Sequence, residues 1–100
     1  MSEPIVVRIF GVPMACSKGT VDAWRNVAKQ ASGQLAVRFG DRVIVEYYDL
    51  MSPDMDRFPE VLARVGEGAQ VPLVYVGSDM LSSGGKVSVP LIAKHINDLL

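Results

Sequence analysis

The stretch Val71-Pro72-Leu73-Val74-Tyr75-Val76 decides the fold of this chain. Its residues from Leu73 to Val76 are apolar without interruption, which predicts a strand covered on both faces. Proline has no N–H to donate and is tolerated at the first residue of a strand, where a cis bond can face a site. Gly77-Ser78-Asp79 then predicts a hairpin turn into a short strand from Met80 to Ser82.

Two further strands are predicted upstream of that stretch. Ile5 to Phe10 is rich in β-branched residues and nearly continuously apolar, and Gly11-Val12-Pro13 ends it. The segment from Arg42 to Asp49 has residue types that pack well on a pleated surface. Because successive side chains of a strand point to opposite faces, Tyr47 and Tyr48 are expected on opposite sides of the sheet.

A long helix is predicted between these two strands, directly after Cys16. Apolar residues recur there at steps of three and four: Val21, Trp24, Ala28, Ala31, Leu35 and Phe39. Thr20 is the expected N-cap with Asp22 in the first turn, and Gly40 is the expected left-handed residue at the end. Gly33 costs about 1 kcal/mol relative to alanine inside a helix, but we expect one unbroken helix.

Shorter helices complete the pattern. Ser52-Pro53 predicts an N-cap and first helical residue, and a second helix is expected from Pro59 to Val65. Ser88 predicts the cap of a final helix whose apolar stripe is Ile92, Ile96 and Leu99. The predicted order is β-α-β-α-β-β-α, an α/β fold with a mixed sheet and helices on both faces.

Composition excludes several classes of protein. The chain has 100 residues, 49% hydrophobic and 21% charged, with a net charge of −1, which predicts one globular domain over residues 1–100. No cluster of Lys and Arg indicates a nucleic-acid or anionic membrane surface. The N-terminus has no basic segment and no apolar run long enough for a signal peptide, so a cytoplasmic protein is expected. A single cysteine excludes an internal disulfide.

That cysteine is the candidate catalytic residue. Cys16 lies in Cys16-Ser17-Lys18-Gly19, between the first strand and the predicted helix. A helix N-terminus beside the thiol favours the thiolate, the reactive form, and the charge of Lys18 would act in the same direction. No spacing typical of a metal site is present.

The predicted order resembles the core of the thioredoxin fold over nearly the whole chain. Ala15-Cys16-Ser17-Lys18-Gly19-Thr20-Val21 resembles the Cys-Cys-Ser-Thr-Gly-Val-Cys stretch of the thioredoxin-like arsenic metallochaperones, with Ala15 and Val21 in place of two cysteines. Pro72-Leu73 resembles the strand start of small bacterial thioredoxin-like disulfide oxidoreductases. Their Cys-x-x-Cys motif has Gly19 here in place of the second cysteine.

The resemblance implies monothiol chemistry on a thiol or disulfide substrate. Cys16 would attack a disulfide, and an external thiol such as glutathione would resolve the mixed disulfide, with no other cofactor. Val71 and Pro72 would offer backbone groups to an extended peptide or to glutathione. Gly84-Gly85 would allow close approach of a glutathione carboxylate, as in the glutaredoxins.

Two alternatives stay open. A thioredoxin-like domain without its second cysteine can serve as a binding or dimerisation module for a protein partner, including a second copy of the chain. An exposed apolar patch formed by Met51, Met55 and Phe58 would indicate that function. Delivery of arsenite is the less favoured alternative, because arsenite prefers three thiolates and only Cys16 is present.

Overall fold

The computed structural model describes residues 4–12, 14–16, 19–21, 23–77, 79–85 and 87–99; the side chains of 14–16, 19–21 and 23 lie outside the description. Its elements in chain order are β1 (Ile5–Gly11), β2 (Met14–Cys16), β3 (Gly19–Val21), α1 (Ala23–Phe39), β4 (Val43–Asp49), α2 (Pro59–Gly66), β5 (Leu73–Val76), β6 (Asp79–Ser83) and α3 (Val89–Leu99). Short 3-10 helices cover Gly40–Arg42 and Pro53–Arg57.

A four-stranded sheet in the order β4-β1-β5-β6 forms the centre of the fold. Strand β1 pairs in parallel with β4 and antiparallel with β5, and β6 pairs antiparallel with β5. The parallel pair is joined by α1, as a parallel connection requires a crossover. The predicted mixed sheet is therefore confirmed.

One face of the sheet is covered by α1 and α3. Its core contains fully buried aliphatic side chains from both central strands, and the two helices add small and branched residues: Val7, Ile9, Ala28, Leu35, Val43, Val74, Val76, Ile92, Ala93 and Ile96. Two hydrophobic periods in the sequence, one typical of strands and one typical of helices, account for this core. Alternate strand residues and helical residues at steps of three and four meet on this face.

The opposite face is covered by α2 and the 3-10 helix Pro53–Arg57. Its core is smaller and more aromatic: Phe10, Met55, Val61, Leu73 and Tyr75. Helices thus lie on both faces, as predicted. The structure corrects one expectation here, because Met55 is only 2% exposed and fills this core. The predicted patch of Met51, Met55 and Phe58 does not form, since Phe58 is also half-buried and only Met51 is fully exposed.

Helix α1 begins later than predicted. The prediction that Thr20 caps it is wrong, because Thr20 lies in β3 and the helix starts at Ala23. Gly19-Thr20-Val21 pairs instead with Met14–Cys16 as a hairpin, which suits the β-branched Thr20 and Val21. Beyond that point the prediction holds. The helix continues through Gly33, and Gly40 follows it with a φ of 62°.

The caps of the later helices follow the sequence, with one exception. The Leu91 N–H donates to the Ser88 hydroxyl at 3.3 Å, so Ser88 caps α3 as predicted. Ser52 holds the N-cap position of its 3-10 helix, but its hydroxyl donates to the Asp49 carbonyl at 2.7 Å. Leu99 is 51% exposed, so the buried apolar stripe of α3 ends at Ile96 and not at Leu99 as predicted. Within the described ranges, no helix has the length and apolar character needed to cross a membrane.

Candidate functional site

The start of β5 lies beside the end of β1. Phe10 pairs with Leu73, so the residues that precede β5 lie next to the chain that leaves β1. The Val71–Pro72 peptide bond is cis. Pro72 is buried, and Val71 is half-buried against the aromatic core. We call Val71 and Pro72, with the end of β1 beside them, the proline edge.

The glycine pair predicted to approach a ligand lies at this same edge. The Gly84 N–H donates to the Pro72 carbonyl at 2.9 Å, which joins the end of β6 to the start of β5. Gly84 and Gly85 have φ values of 77° and 72°, in the left-handed region that favours glycine. A Cβ at Gly84 would also lie 3.2 Å from the Gln70 side-chain oxygen. The structure therefore brings Pro72 and Gly84 together.

The backbone of Val71 is open at this edge. Among the described residues, the N–H and C=O of Val71 have no hydrogen-bond partner, whereas the neighbouring Pro72 carbonyl is occupied by Gly84. Backbone groups are strong hydrogen-bonding groups that need a partner when water is excluded. An extended ligand laid along the proline edge would find one unused donor and one unused acceptor at Val71.

Cys16, the candidate nucleophile, lies in a strand, whereas the sequence predicted a position between the first strand and a helix. The backbone of Cys16 is in β2, paired with Gly19 of β3 in a separate two-stranded sheet. The side chain of Cys16 and the whole of Lys18 lie outside the described residues. Because β3 lies between Cys16 and the start of α1 at Ala23, the helix does not begin directly after Cys16 as predicted.

The end of β1, which precedes the hairpin of β2 and β3, makes a close contact with α1 and β4. A Cβ at Gly11 would lie 2.8 Å from the Trp24 Cβ and 2.9 Å from the Tyr47 hydroxyl, closer than real Cβ atoms approach. The Gly11 carbonyl also accepts a 2.9 Å hydrogen bond from the Leu50 N–H. Glycine is thus required here for close approach, and α1 packs directly on the end of β1.

A second site, missed by sequence reasoning, lies on the face covered by α2. Arg8 occupies the middle of β1, a central strand, between Glu46 of β4 and Tyr75 of β5 in register. Its Nε donates to Glu46 Oε1 at 3.2 Å, and the two side chains are 31% and 37% exposed. The signal was present in the sequence, because Arg8 interrupts the apolar run from Ile5 to Phe10.

A polar network extends from this ion pair across the aromatic residues. The Tyr48 hydroxyl donates to Glu46 Oε1 at 2.8 Å and accepts from Arg57 Nη2 at 3.2 Å. The guanidinium carbons of Arg8 and Arg57 each lie 5.3 Å from the centre of the Phe58 ring. Both arginines therefore make cation–π contacts with one phenylalanine.

These residues border a groove of about 360 Å³, which we call the arginine groove. Its lining consists of Arg8, Phe10, Arg57, Phe58, Glu60, Val61, Tyr75 and Gly77. Burial raises the pKa of the Tyr75 phenol above its ordinary value; the charge of Arg64 opposes that shift and the charge of Glu60 adds to it. The groove combines an aromatic floor with guanidinium groups, a combination typical of sites for small organic ligands.

The metal-ligating side chain types form no cluster within the described ranges. No three His, Cys, Asp or Glu side chains converge on a possible metal position in the part of the chain that the structure describes. His95 of α3 is half-buried, with its Nε2 3.7 Å from Asp79 Oδ2 at the start of β6. That contact joins α3 to the edge strand β6.

Comparison with known proteins supports the fold alone. No protein-family model matches the chain, and no curated protein matches its sequence. One similar solved structure is described as that of a malarial protein, with a TM-score of 0.54, 19% identity, and coverage of 98% of this chain and 99% of that chain. Another is thioredoxin-2, described as a component of malaria parasite protein secretion machinery, with a TM-score of 0.51, 19% identity, and coverage of 98% and 85%.

The resemblance to the bacterial oxidoreductases and to the arsenic metallochaperones stays a prediction. The mixed four-stranded sheet, the helices on both faces and these structural neighbours agree on one architecture. The chain has the thioredoxin-like α/β fold predicted from its sequence.

Proposed function

We propose that this protein is a thioredoxin-like monothiol protein that holds a thiol or disulfide ligand along the proline edge. The observation that carries the proposal is the open backbone of Val71 beside Pro72. An extended peptide or glutathione could pair with the Val71 N–H and C=O as an added strand does. The end of β1, from which the chain proceeds to Cys16, lies next to this position.

The chemistry would proceed in two exchanges. The Cys16 thiolate attacks one sulfur of a disulfide, a new S–S bond forms, and the other sulfur leaves as a thiolate. An external thiol such as glutathione, after losing its proton, then attacks the mixed disulfide and releases Cys16 as thiolate. The electrons are supplied by the external thiols, so no resolving cysteine in the chain and no further cofactor is needed.

The proposed roles of the other residues follow from their positions and charge. Lys18 would stabilise the Cys16 thiolate by its positive charge, a role that matters more because α1 begins only at Ala23. Gly84 would hold the start of β5 through its bond to Pro72, and Gly85 would leave room for a ligand carboxylate.

The test is the pH dependence of Cys16 alkylation in the folded protein, with Cys16→Ser as the blank. A midpoint below that of a free thiol, about 8.5, is expected, and Lys18→Gln should move it upward. Mass spectrometry after incubation with oxidised glutathione should then show one mixed disulfide per chain, which added reduced glutathione removes. A midpoint at or above that of a free thiol, with no mixed disulfide, would overturn the proposal.

A second candidate function is favoured by the hairpin around Cys16. Helix α1 begins at Ala23 and not directly after Cys16, and a thiol without a helix N-terminus beside it is less activated, which would suit a binding or dimerisation module without catalysis. In that case Cys16→Ser should leave partner binding unchanged, and sedimentation of the wild type should show whether the partner is a second copy. Arsenite delivery is tested by titrating arsenite against the free thiol; binding to a single Cys16 per chain should be weak.

A further inference from the structure

Stability alone does not explain the charged side chains of the arginine groove. Arg8 lies in the middle of a central strand, where flanking residues Val7 and Ile9 are fully buried. A partly buried ion pair such as Arg8–Glu46 contributes little to stability, because desolvation offsets much of the attraction between the charges. Charged groups held at such a position are candidates for ligand recognition.

The guanidinium groups of this groove retain unused donors. In the part of the chain that the structure describes, only Nε of Arg8 and only Nη2 of Arg57 have hydrogen-bond partners. Arg57 also has no carboxylate partner among those residues. Both guanidinium carbons lie 5.3 Å from the centre of the Phe58 ring, and both residues line the groove. Two such groups suit a carboxylate, which accepts paired hydrogen bonds from guanidinium.

The rest of the groove suits an apolar body. Phe10 is buried beneath the groove, stacked on Tyr48 and edge-to-face with Phe58 and Tyr75, at ring-centre distances of 5.3 to 5.6 Å. Val61 and Tyr75 complete the apolar lining. A groove of about 360 Å³ lies in the size range of sites that hold small organic molecules.

The balance of charge limits the ligand to one negative charge. Glu46 offsets the charge of Arg8, and Glu60, which also lines the groove, disfavours a second anionic group. Arg57 is a lining guanidinium with no carboxylate partner among the described residues. We propose that the arginine groove binds a small aromatic monocarboxylate, with its carboxylate on Arg57 and Arg8 and its ring against Phe58.

The test is a titration of the ¹⁵N-labelled protein with 2-naphthoate, followed by NMR. Saturable shifts are expected for residues that line the groove. Arg57→Gln should weaken binding about tenfold, as expected for the loss of a charge-assisted hydrogen bond. Arg42→Gln is the matched control, because Arg42 is exposed in the 3-10 helix Gly40–Arg42 and does not line the groove. Arg57→Lys should fall between the wild type and Arg57→Gln, since it keeps the charge and loses the planar fork.

Two further ligands test the charge argument. The neutral 2-naphthylmethanol and the dianionic 2-naphthyl phosphate should both bind more weakly than 2-naphthoate. Absence of saturation at millimolar 2-naphthoate, equal effects of the Arg57 and Arg42 variants, or equal binding of the alcohol would overturn the proposal. Cys16→Ser should leave 2-naphthoate binding unchanged, which separates this inference from the proposed thiol function.

Discussion

The two faces of the central sheet are built from the same strands but carry different kinds of side chain. The face under α1 and α3 is closed by aliphatic residues, and Val7, Ile9 and Ile96 on it are completely buried. The face under α2 carries an ion pair, four interacting aromatic rings and a groove. Helix α2 spans only Pro59–Gly66, too short to cover all of its face. The comparison teaches that one face is closed by aliphatic packing, whereas the other leaves charged and aromatic side chains along a groove.

The largest effect is expected on the aliphatic face. Ile9→Ala should lower the free energy of unfolding by about 2–5 kcal/mol, because it leaves a cavity in a rigid, fully buried core. Chemical denaturation gives the measurement. Ile44→Ala is the matched control, since Ile44 is 44% exposed on β4 and should change stability by less than about 1 kcal/mol. Equal losses for both variants would contradict the assignment of the core.

The contact between α1 and the end of β1 should be the next most sensitive. Gly11→Ala should destabilise by about 1–3 kcal/mol, because the added Cβ would overlap the Trp24 side chain. Gly33→Ala is the opposite case on the outside of α1, where a Cβ meets nothing within 4 Å. It should stabilise by about 0.5–1 kcal/mol through helix propensity. Thermal unfolding of both variants checks the signs, and a stabilised Gly11→Ala would disprove the close contact.

On the α2 face, removal of both charges should cost little. The double variant Arg8→Met with Glu46→Leu should unfold within about 1 kcal/mol of the wild type, because a half-exposed ion pair contributes little and apolar side chains fit a central strand. The same variant should lose most binding of 2-naphthoate. A large loss of stability would show that the pair supports the fold, and would weaken the contrast between the faces.

The smallest effect at neutral pH is expected for Tyr75→Phe. The folded protein raises the pKa of Tyr75, so the neutral phenol is favoured and the wild type loses stability as the pH rises above about 10, the unfolded pKa. Below that pH the phenol is protonated in both states and its titration contributes nothing. Denaturation at pH 8 and at pH 11 should show a smaller alkaline loss for Tyr75→Phe than for wild type. An unchanged alkaline loss would exclude Tyr75 as its source.

Much of the architecture was predictable because strands and helices leave local patterns of apolar residues in the sequence. The apolar runs of β1, β4 and β5 and the helical period from Trp24 to Phe39 identified the layers, and Gly40 and Ser88 marked helix boundaries. The hairpin of β2 and β3 was missed because three-residue strands are too short to show a period. Val21 was assigned to the helix on the strength of its spacing from Trp24.

The candidate sites were predictable only where neighbours in sequence form them. Val71-Pro72 and Gly84-Gly85 were identified as segments, but their contact through the Gly84 N–H depends on the pairing of β5 with β6. The roles of Cys16 and Lys18 stay predictions. Arg8 was visible in the sequence as an interruption of an apolar run, but its partners lie far along the chain.

The sequence by itself determined the class of fold, because alternation of strand and helix periods sets which faces must be buried. Tertiary structure alone decided that Met55 is buried, that Leu99 is exposed and that Thr20 lies in a strand. It also assembled the arginine groove from β1, α2, β5 and the 3-10 helix before α2. Long-range register and packing bring those segments together, and no local pattern of residues encodes which distant side chains will meet.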